Sequence, residues 1–562
     1  MERSTIFDLP YEILCHIFDH PDVPNETLFN LALTSQRFNH FALSIYFARF
    51  QISNPAEHAE IVFRNNPPHI LDALDGLKIA LFVPSIKRLV CRFQLERDAG
   101  DYEIVIQHMR RLHDLVSSLT AVNDVRLVLG NERCGCCSAF GSGDVLDDAL
   151  MEWSATIGRT WSKIVEKGCV TLSVIGGRYM GHAYSFKAGK GIGKPGKGPL
   201  AGIKNLLMKK RSDSSLGTGD VMMDMIQGDN WRFRRATGTG TAIILTPLSD
   251  AAKERPVLRS LIINSMIMVV PPLLHWTISA LRLPTVESLH IMNISVNRKC
   301  WPAVFTMIAN NAPHLTEVRL SRIRQLVPAD LLHFLASLPK LRTLHLGRDV
   351  DCINTFDLGP FPDFPCLYML HAPAAWVLKL LSSQRRGLSR LSKLSIAYRM
   401  RNDGLSHWVR RSTVTSIPTL LKEQRRSLSI SLKIYLGTNP GWRMMEDVES
   451  IAAERESLVK PEVGDITSFT LVFDDAIDCD DIPLSVVLPK WLSLFFGLRY
   501  LAMRTQPSAN GTGTTDAMVT ALVVGILREG GLAEISSVQV NGVEVNSDTC
   551  GEELGRVEVD SD

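Results

Sequence analysis

From residue 85 onward, apolar positions return in one short phrase: apolar, two residues, apolar, one residue, apolar. It reads Ile86-Lys-Arg-Leu89-Val-Cys91, then Val122-Asn-Asp-Val125-Arg-Leu127, then Cys169-Val-Thr-Leu172-Ser-Val174. It returns at Leu258/Leu261/Ile263, Val286/Leu289/Ile291, Leu315/Val318/Leu320 and Leu341/Leu344/Leu346. Weaker copies follow at Leu367/Leu370, Leu391/Leu394/Ile396, Ile466/Phe469/Leu471, Leu498/Leu501/Met503 and Ile535/Val538/Val540. The alternation that ends each phrase predicts a short strand with one buried face. Stretches between the phrases, such as Pro328 to Leu338, carry Pro in the first turn and an apolar face, and predict helices.

Between residues 258 and 391 the phrases start 28, 29, 26, 26 and 24 residues apart. One strand and one helix at this period is the pattern of the leucine-rich repeat. A single strand–helix unit cannot bury its own apolar face, whereas stacked units bury a continuous core and align their strands in parallel. The chain departs from the usual repeat: the position that normally holds Asn or Cys is taken by Ile294, Ile323 and Asp349. No Asn ladder is therefore expected to satisfy the turns. Longer spacings flank the central run, so the expectation is an irregular α/β solenoid over residues 85–545, best formed over 255–400. The competing reading is an ordinary α/β domain with unrelated strands.

The first fifty residues follow a different period. Pro10 suits the first turn of a helix, Glu12 places a carboxylate there, and Ile13, Leu14, Ile17 and Phe18 form an apolar stripe. Pro21 and Pro24 end it. A second helix begins near Asn25 or Glu26 and carries Leu28, Leu31 and Ala32, and Thr34 or Ser35 can cap a third that carries Phe38, Phe41 and Ala42. Three short helices in about 40 residues close only a marginal core. Each fully buried Leu, Ile or Phe is worth roughly 1.5–3 kcal/mol, so the surplus apolar surface must be covered by the rest of the chain or by another protein.

The segment Leu9-Pro10-x-Glu12-Ile13-Leu14-x-x-Ile17-Phe18, followed by Leu28-x-x-Leu31-Ala32-Leu33-Thr34-Ser35-x-Arg37-Phe38-Asn39, resembles the F-box, in the wording common among fungal F-box proteins. The loop His20 to Thr27 is longer and richer in Pro than that pattern. The resemblance implies a three-helix F-box over residues 1–50 that docks onto a Skp-type adaptor, and through it onto a cullin–RING ubiquitin ligase. It also implies that Leu9, Pro10, Ile13, Leu14, Ile17, Leu28, Leu31 and Phe38 are the adaptor-facing or motif-core set. Residues 51–84 are expected to be a helical linker.

Composition adds little that is selective. The 562 residues carry 61 Lys plus Arg against 59 Asp plus Glu, a net charge of +2, so a nucleic acid backbone or an anionic membrane is not implied as a global partner. The start of the sequence has no apolar run of the signal-peptide type. The most membrane-like stretch, Met266 to Leu274, is interrupted by Pro271-Pro272. Eleven scattered cysteines fit a reduced cytoplasmic or nuclear setting. Two segments stand apart. Residues 187–211 hold eight Lys or Arg and no acid, within a Gly/Lys-rich insertion of about 187–240 expected to be flexible and exposed, and residues 541–562 hold seven acids against one base. The last part, 546–562, is expected to be a solvated acidic tail.

No motif carries catalytic chemistry. Gly191 to Lys197 has P-loop spacing, but Gly198 stands where Mg²⁺ binding needs Ser or Thr, and Pro195 removes an N–H. Cys134-Gly-Cys136-Cys137 has no second ligand pair at suitable spacing, and His108 and His113 lie five apart on a helix. Neither Gly-x-Ser-x-Gly nor His-Glu-x-x-His occurs. The expectation is a non-catalytic receptor without cofactor or metal, in which the F-box binds the adaptor and the repeats bind an unidentified protein target. The alternatives are an F-box scaffold without target ubiquitination and a nucleic-acid-associated protein acting through the basic insertion.

Overall fold

The computed structural model describes residues 9–64, 71–94, 101–130, 143–177, 184–188, 223–224, 231–235, 247–269, 273–294, 301–347, 350, 363–383, 388, 390–399, 429–436, 466–473, 492, 498–505, 537–540 and 543–545. The chain is mixed α/β and divides into two compact units, residues 1–315 and 316–562.

The first unit opens with three helices, α1 (Tyr11–Phe18), α2 (Asn25–Ala32) and α3 (Gln36–Arg49). Strand β1 (His58–Arg64) and helix α4 (Ala73–Ile79) follow. The segment 51–84, expected as a helical linker, is thus corrected to a strand plus a helix. The reason is the alternation Ala59, Ile61, Phe63, all fully buried. Then come β2 (Ser85–Gln94), α5 (Asp101–Ser118), β3 (Ala121–Leu129), α6 (Gly143–Glu166) and β4 (Thr171–Gly176).

After β4 a separate antiparallel sheet is formed by β5 (Tyr184–Ala188), β6 (Met223–Asp224) and β7 (Trp231–Arg235). The insertion of about 187–240, expected to be flexible and exposed, therefore contains strands. Tyr184-x-Phe186 and Trp231-x-Phe233 supply aromatics at period two, the residue type that favours strands. The cationic stretch beyond Ala188 lies outside the described residues, as do Cys134 to Cys137. The unit ends with α7 (Asp250–Glu254), β8 (Ser260–Asn264), α8 (Leu274–Leu281), β9 (Ser288–Met292) and α9 (Trp301–Asn311).

Strands β1, β2, β3, β4, β8 and β9 pair in that order, all parallel. The repeated phrase is in phase across them. Ala59, Leu89, Val125, Leu172, Leu261 and Leu289 form one cross-strand column, and Ile61, Cys91, Leu127, Val174, Ile263 and Ile291 form the next. Every one of these twelve is at most 1 % exposed, so the columns are the core. Trp161 packs edge-on against Trp276, with ring centroids 5.1 Å apart, and Trp276 donates to Ser162 Oγ at 3.0 Å.

Ile294 and Ile323 are buried instead of bonding the turn. The backbone turns through left-handed residues at the strand ends, at Gly130 (φ 72°), Gly176 (φ 79°) and Asn293 (φ 54°). A Cβ on Gly176 would lie 2.4 Å from the Gly130 carbonyl oxygen, so that turn needs glycine.

The second unit contains β10 (Glu317–Ser321), α10 (Pro328–Ala336), β11 (Thr343–Leu346), β12 (Met369–Pro373), α11 (Ala374–Ser383), β13 (Lys393–Arg399), β14 (Ser429–Leu436), β15 (Ile466–Phe473), β16 (Tyr500–Thr505), β17 (Ser537–Val540) and β18 (Val543–Val545). Neighbours in this series pair in parallel up to β17, and β18 returns antiparallel. Part of the acid-rich stretch 541–562 is therefore a strand, and residues 546–562 lie outside the described residues. No helix among the described residues is long and apolar enough to cross a membrane.

Candidate adaptor-docking surface

The three N-terminal helices are short, and their positions are fixed by specific bonds. Ser35 caps α3, its side chain accepting from the Phe38 N–H at 3.2 Å. Arg37 donates to the Leu9 carbonyl at 2.9 Å, which fastens the start of α1 to the start of α3. Arg49, at the other end of α3, donates to the carbonyls of Val23, His20 (3.2 Å) and Phe18 (3.4 Å) and to Asn25 Oδ1 (3.0 Å). One guanidinium thus holds the long, Pro-rich loop between α1 and α2.

The eight residues singled out in the sequence separate into two groups. Leu14, Leu28 and Phe38 are at most 1 % exposed and belong to the module's own core. Around them, Phe18 meets Phe41 edge-on at 5.8 Å and Phe38 meets Phe41 at 6.3 Å. Leu9 and Leu31 are half-buried, and Pro10 is exposed. Ile13 and Ile17 are 49 % and 45 % exposed; four residues apart, they share one face of α1. Leu33, which sequence reading left out, is 59 % exposed at the end of α2. It ends the helix as its C-cap, off the apolar period that would have marked it.

The surplus apolar surface is thus divided. Helix α3 is buried almost all round, from Phe38 to Phe47, because the following chain packs on it. Phe82 lies 4.6 Å from His40 and 6.3 Å from Phe47, ring to ring. Buried Asn39 donates to the carbonyls of Ala32 (3.2 Å) and Ile79 (2.8 Å) and accepts from the Leu81 N–H at 3.0 Å. The Tyr46 hydroxyl donates to the Asp72 carbonyl at 2.7 Å, and burial pushes its pKa up. Among the described residues of this region, the large apolar side chains left exposed are Ile13 and Ile17 on α1, Leu33 at the end of α2, and Leu81 just after α4.

A charged joint continues from this module into the sheet. Asp72 caps α4 in a capping box with Asp75. Arg111 of α5 donates to both carboxylates at 2.8 Å; burial works against its charge, and the two acids outweigh burial and keep it protonated. His108 lies within 3.1 Å of the Arg64 carbonyl through Nε2 and within 3.2 Å of Arg111 through Nδ1. Nε2–H donating and Nδ1 accepting satisfies both contacts, an arrangement only the neutral ring allows. Burial, followed by the Arg111 charge, holds the His108 pKa below the ordinary imidazole value.

The geometry of the module offers apolar side chains on a preformed helical surface. Among the described residues no set of three His, Cys, Asp or Glu is placed to hold a metal ion. His108 and His113 do not act together: His108 is in the joint, and His113 faces Asp114 at 3.6 Å. No curated protein matches the chain. Residues 6–51 do match the F-box-like family, so the three-helix module with its exposed α1 face is an F-box-like domain, of the kind that binds Skp-type adaptors.

Proposed function

We propose that the chain is the substrate-recognition subunit of a Skp–cullin–F-box ubiquitin ligase, built from a fungal-type F-box and a leucine-rich-repeat-like solenoid. The F-box-like helices dock on the adaptor, and the parallel strand–helix units hold a protein target. The receptor itself makes and breaks no bonds. It raises the effective concentration of the target's lysines near a ubiquitin-charged enzyme, which is a gain in proximity. Such a receptor works in the cytoplasm, the nucleus or both, and needs no cofactor.

The observation that carries this reading is the exposed trio Ile13, Ile17 and Leu33 on a domain whose own core is already closed by Leu14, Leu28 and Phe38. Large aliphatic side chains held outward on short, packed helices are the anchors a helical partner covers. The experiment is co-purification with a Skp-type adaptor of the native chain and of an Ile13→Ala/Ile17→Ala/Leu33→Ala variant. Removing three anchors is expected to cost at least about a hundredfold in affinity. The circular dichroism spectrum should stay native, because these side chains add little to the core. Adaptor retained in full by the folded variant, or absent from the native chain, would sink the proposal.

A further inference from the structure

The register of the second unit assembles a feature that no single stretch of sequence contains. Arg319, His345, His371, Ser395, Ser431 and Ser468 stand opposite one another, strand by strand, across β10 to β15. They alternate with buried residues such as Val318, Leu320, Leu344 and Leu370, so the row runs along the face opposite the core. Six strands at about 4.8 Å spacing make a row about 24 Å long, the reach of roughly seven extended residues.

The row is ordered from within. The rings of His345 and His371 stack with centroids 3.9 Å apart, and His371 Nδ1 lies 2.8 Å from Ser395 Oγ. His371 is buried, His345 and the three serines are half-buried, and Arg319 is exposed. Two residues before Ser395, on the same strand face, exposed Lys393 holds its ammonium 5.8 Å from the Tyr368 ring centroid. No acid stands in the row itself. Among the described residues of β10 to β15 the acid beside it, Glu317, is ion-paired with Arg319.

A strand face that is only solvated tends to mix its charges, and the first unit shows this: Glu60 pairs with Arg92, and Arg88 stands opposite Asp124. The row in the second unit offers guanidinium, imidazole and hydroxyl groups in line, with an ammonium beside them. Carboxylates accept from all four, and Arg binds them bidentately. We infer that this row is a docking strip for an extended Asp/Glu-rich segment of a protein partner. This rests on the receptor reading and names the chemistry of the target it holds.

The test is fluorescence anisotropy of the full chain with a labelled ten-residue oligoglutamate, and with oligolysine and a single-stranded DNA oligonucleotide as competing probes. Oligoglutamate is expected to bind and oligolysine is not. The charge reversal Arg319→Glu/Lys393→Glu acts on exposed side chains, and should weaken binding about tenfold or more. Glu317→Gln frees Arg319 from its acid and should strengthen binding severalfold. Lys340→Glu, exposed in the turn before β11, should change it little. No oligoglutamate binding, equal losses in the Lys340 and Arg319/Lys393 variants, or tighter binding of DNA through the same two cations would each overturn the assignment. The Ile13/Ile17/Leu33 variant should bind oligoglutamate normally, and the Arg319/Lys393 variant should keep its adaptor, so failure at one surface is readable apart from failure at the other.

Discussion

Asn39 joins three segments through one buried side chain, and Asn39→Ala separates them. The amide supplies one acceptor, to Leu81 N–H, and two donors, to the carbonyls of Ala32 and Ile79. Its residue is 3 % exposed, so water does not replace these bonds without an opening of the structure. A buried polar group left without its partner costs about 1–3 kcal/mol. Two of the three groups are carbonyls at helix ends, which recover part of their bonding by small shifts. A loss of about 3 kcal/mol follows, or about a hundredfold in the local opening equilibrium. The assay is native-state hydrogen exchange of the Leu81 amide in the full chain, where protection should fall by that factor. Asn39→Asp keeps the acceptor for Leu81 but turns a carboxylate toward two carbonyls, so it should not rescue. A folded Asn39→Ala chain whose Leu81 amide exchanges at the native rate would refute the reasoning.

Two further outcomes follow from the same region. Gly76 lies on α4 where an added Cβ would meet Tyr46 Cε1 at 2.7 Å and Phe47 Cε1 at 2.9 Å, both in rings packed in the core. Gly76→Ala should therefore destabilise by about 1–3 kcal/mol through overpacking, despite the better helix propensity of alanine, and calorimetry of the variant checks the sign. The folded-state pKa of His108 is depressed, so the unfolded chain binds its proton more readily. Its contribution is thus present above the ordinary imidazole value of about 6.5 and is lost as pH falls below it. Proteolytic resistance of the α4–α5 joint should decline over that window, and less steeply in His108→Gln.

The strands were legible where three apolar residues share one phrase, because a buried column needs large side chains at fixed spacing. The strand His58–Arg64 escaped because its leading positions are alanines, Ala56 and Ala59, which carry little hydrophobic signal yet still fit against Leu89. Ser429–Leu436 escaped because Ile430, Leu432 and Ile434 alternate evenly, with no apolar residue three before the first. In α1 the composition of the stripe was plain but its division was not. Ile13 and Leu14 are neighbours of nearly equal hydrophobicity, and only the rotation of the helix against Phe41 decides which is covered. The polar row could not be read from the sequence, since His345 and His371 are 26 residues apart and meet only through strand register.

The short antiparallel return of Val543–Val545 against Ser537–Val540 has a consequence for how the protein behaves in crowded solution. Parallel strands leave a ready template at the last one, on which a second chain can continue the ladder. Here that place is taken by a three-residue strand of the same molecule, with Glu544 on it held at 2.9 Å by the Ser537 hydroxyl. A charged, very short outer strand offers a poor seed for edge-to-edge growth between molecules. The short outer strand is thereby a safeguard against self-association, and Glu544→Val would turn a charged margin into an adhesive one.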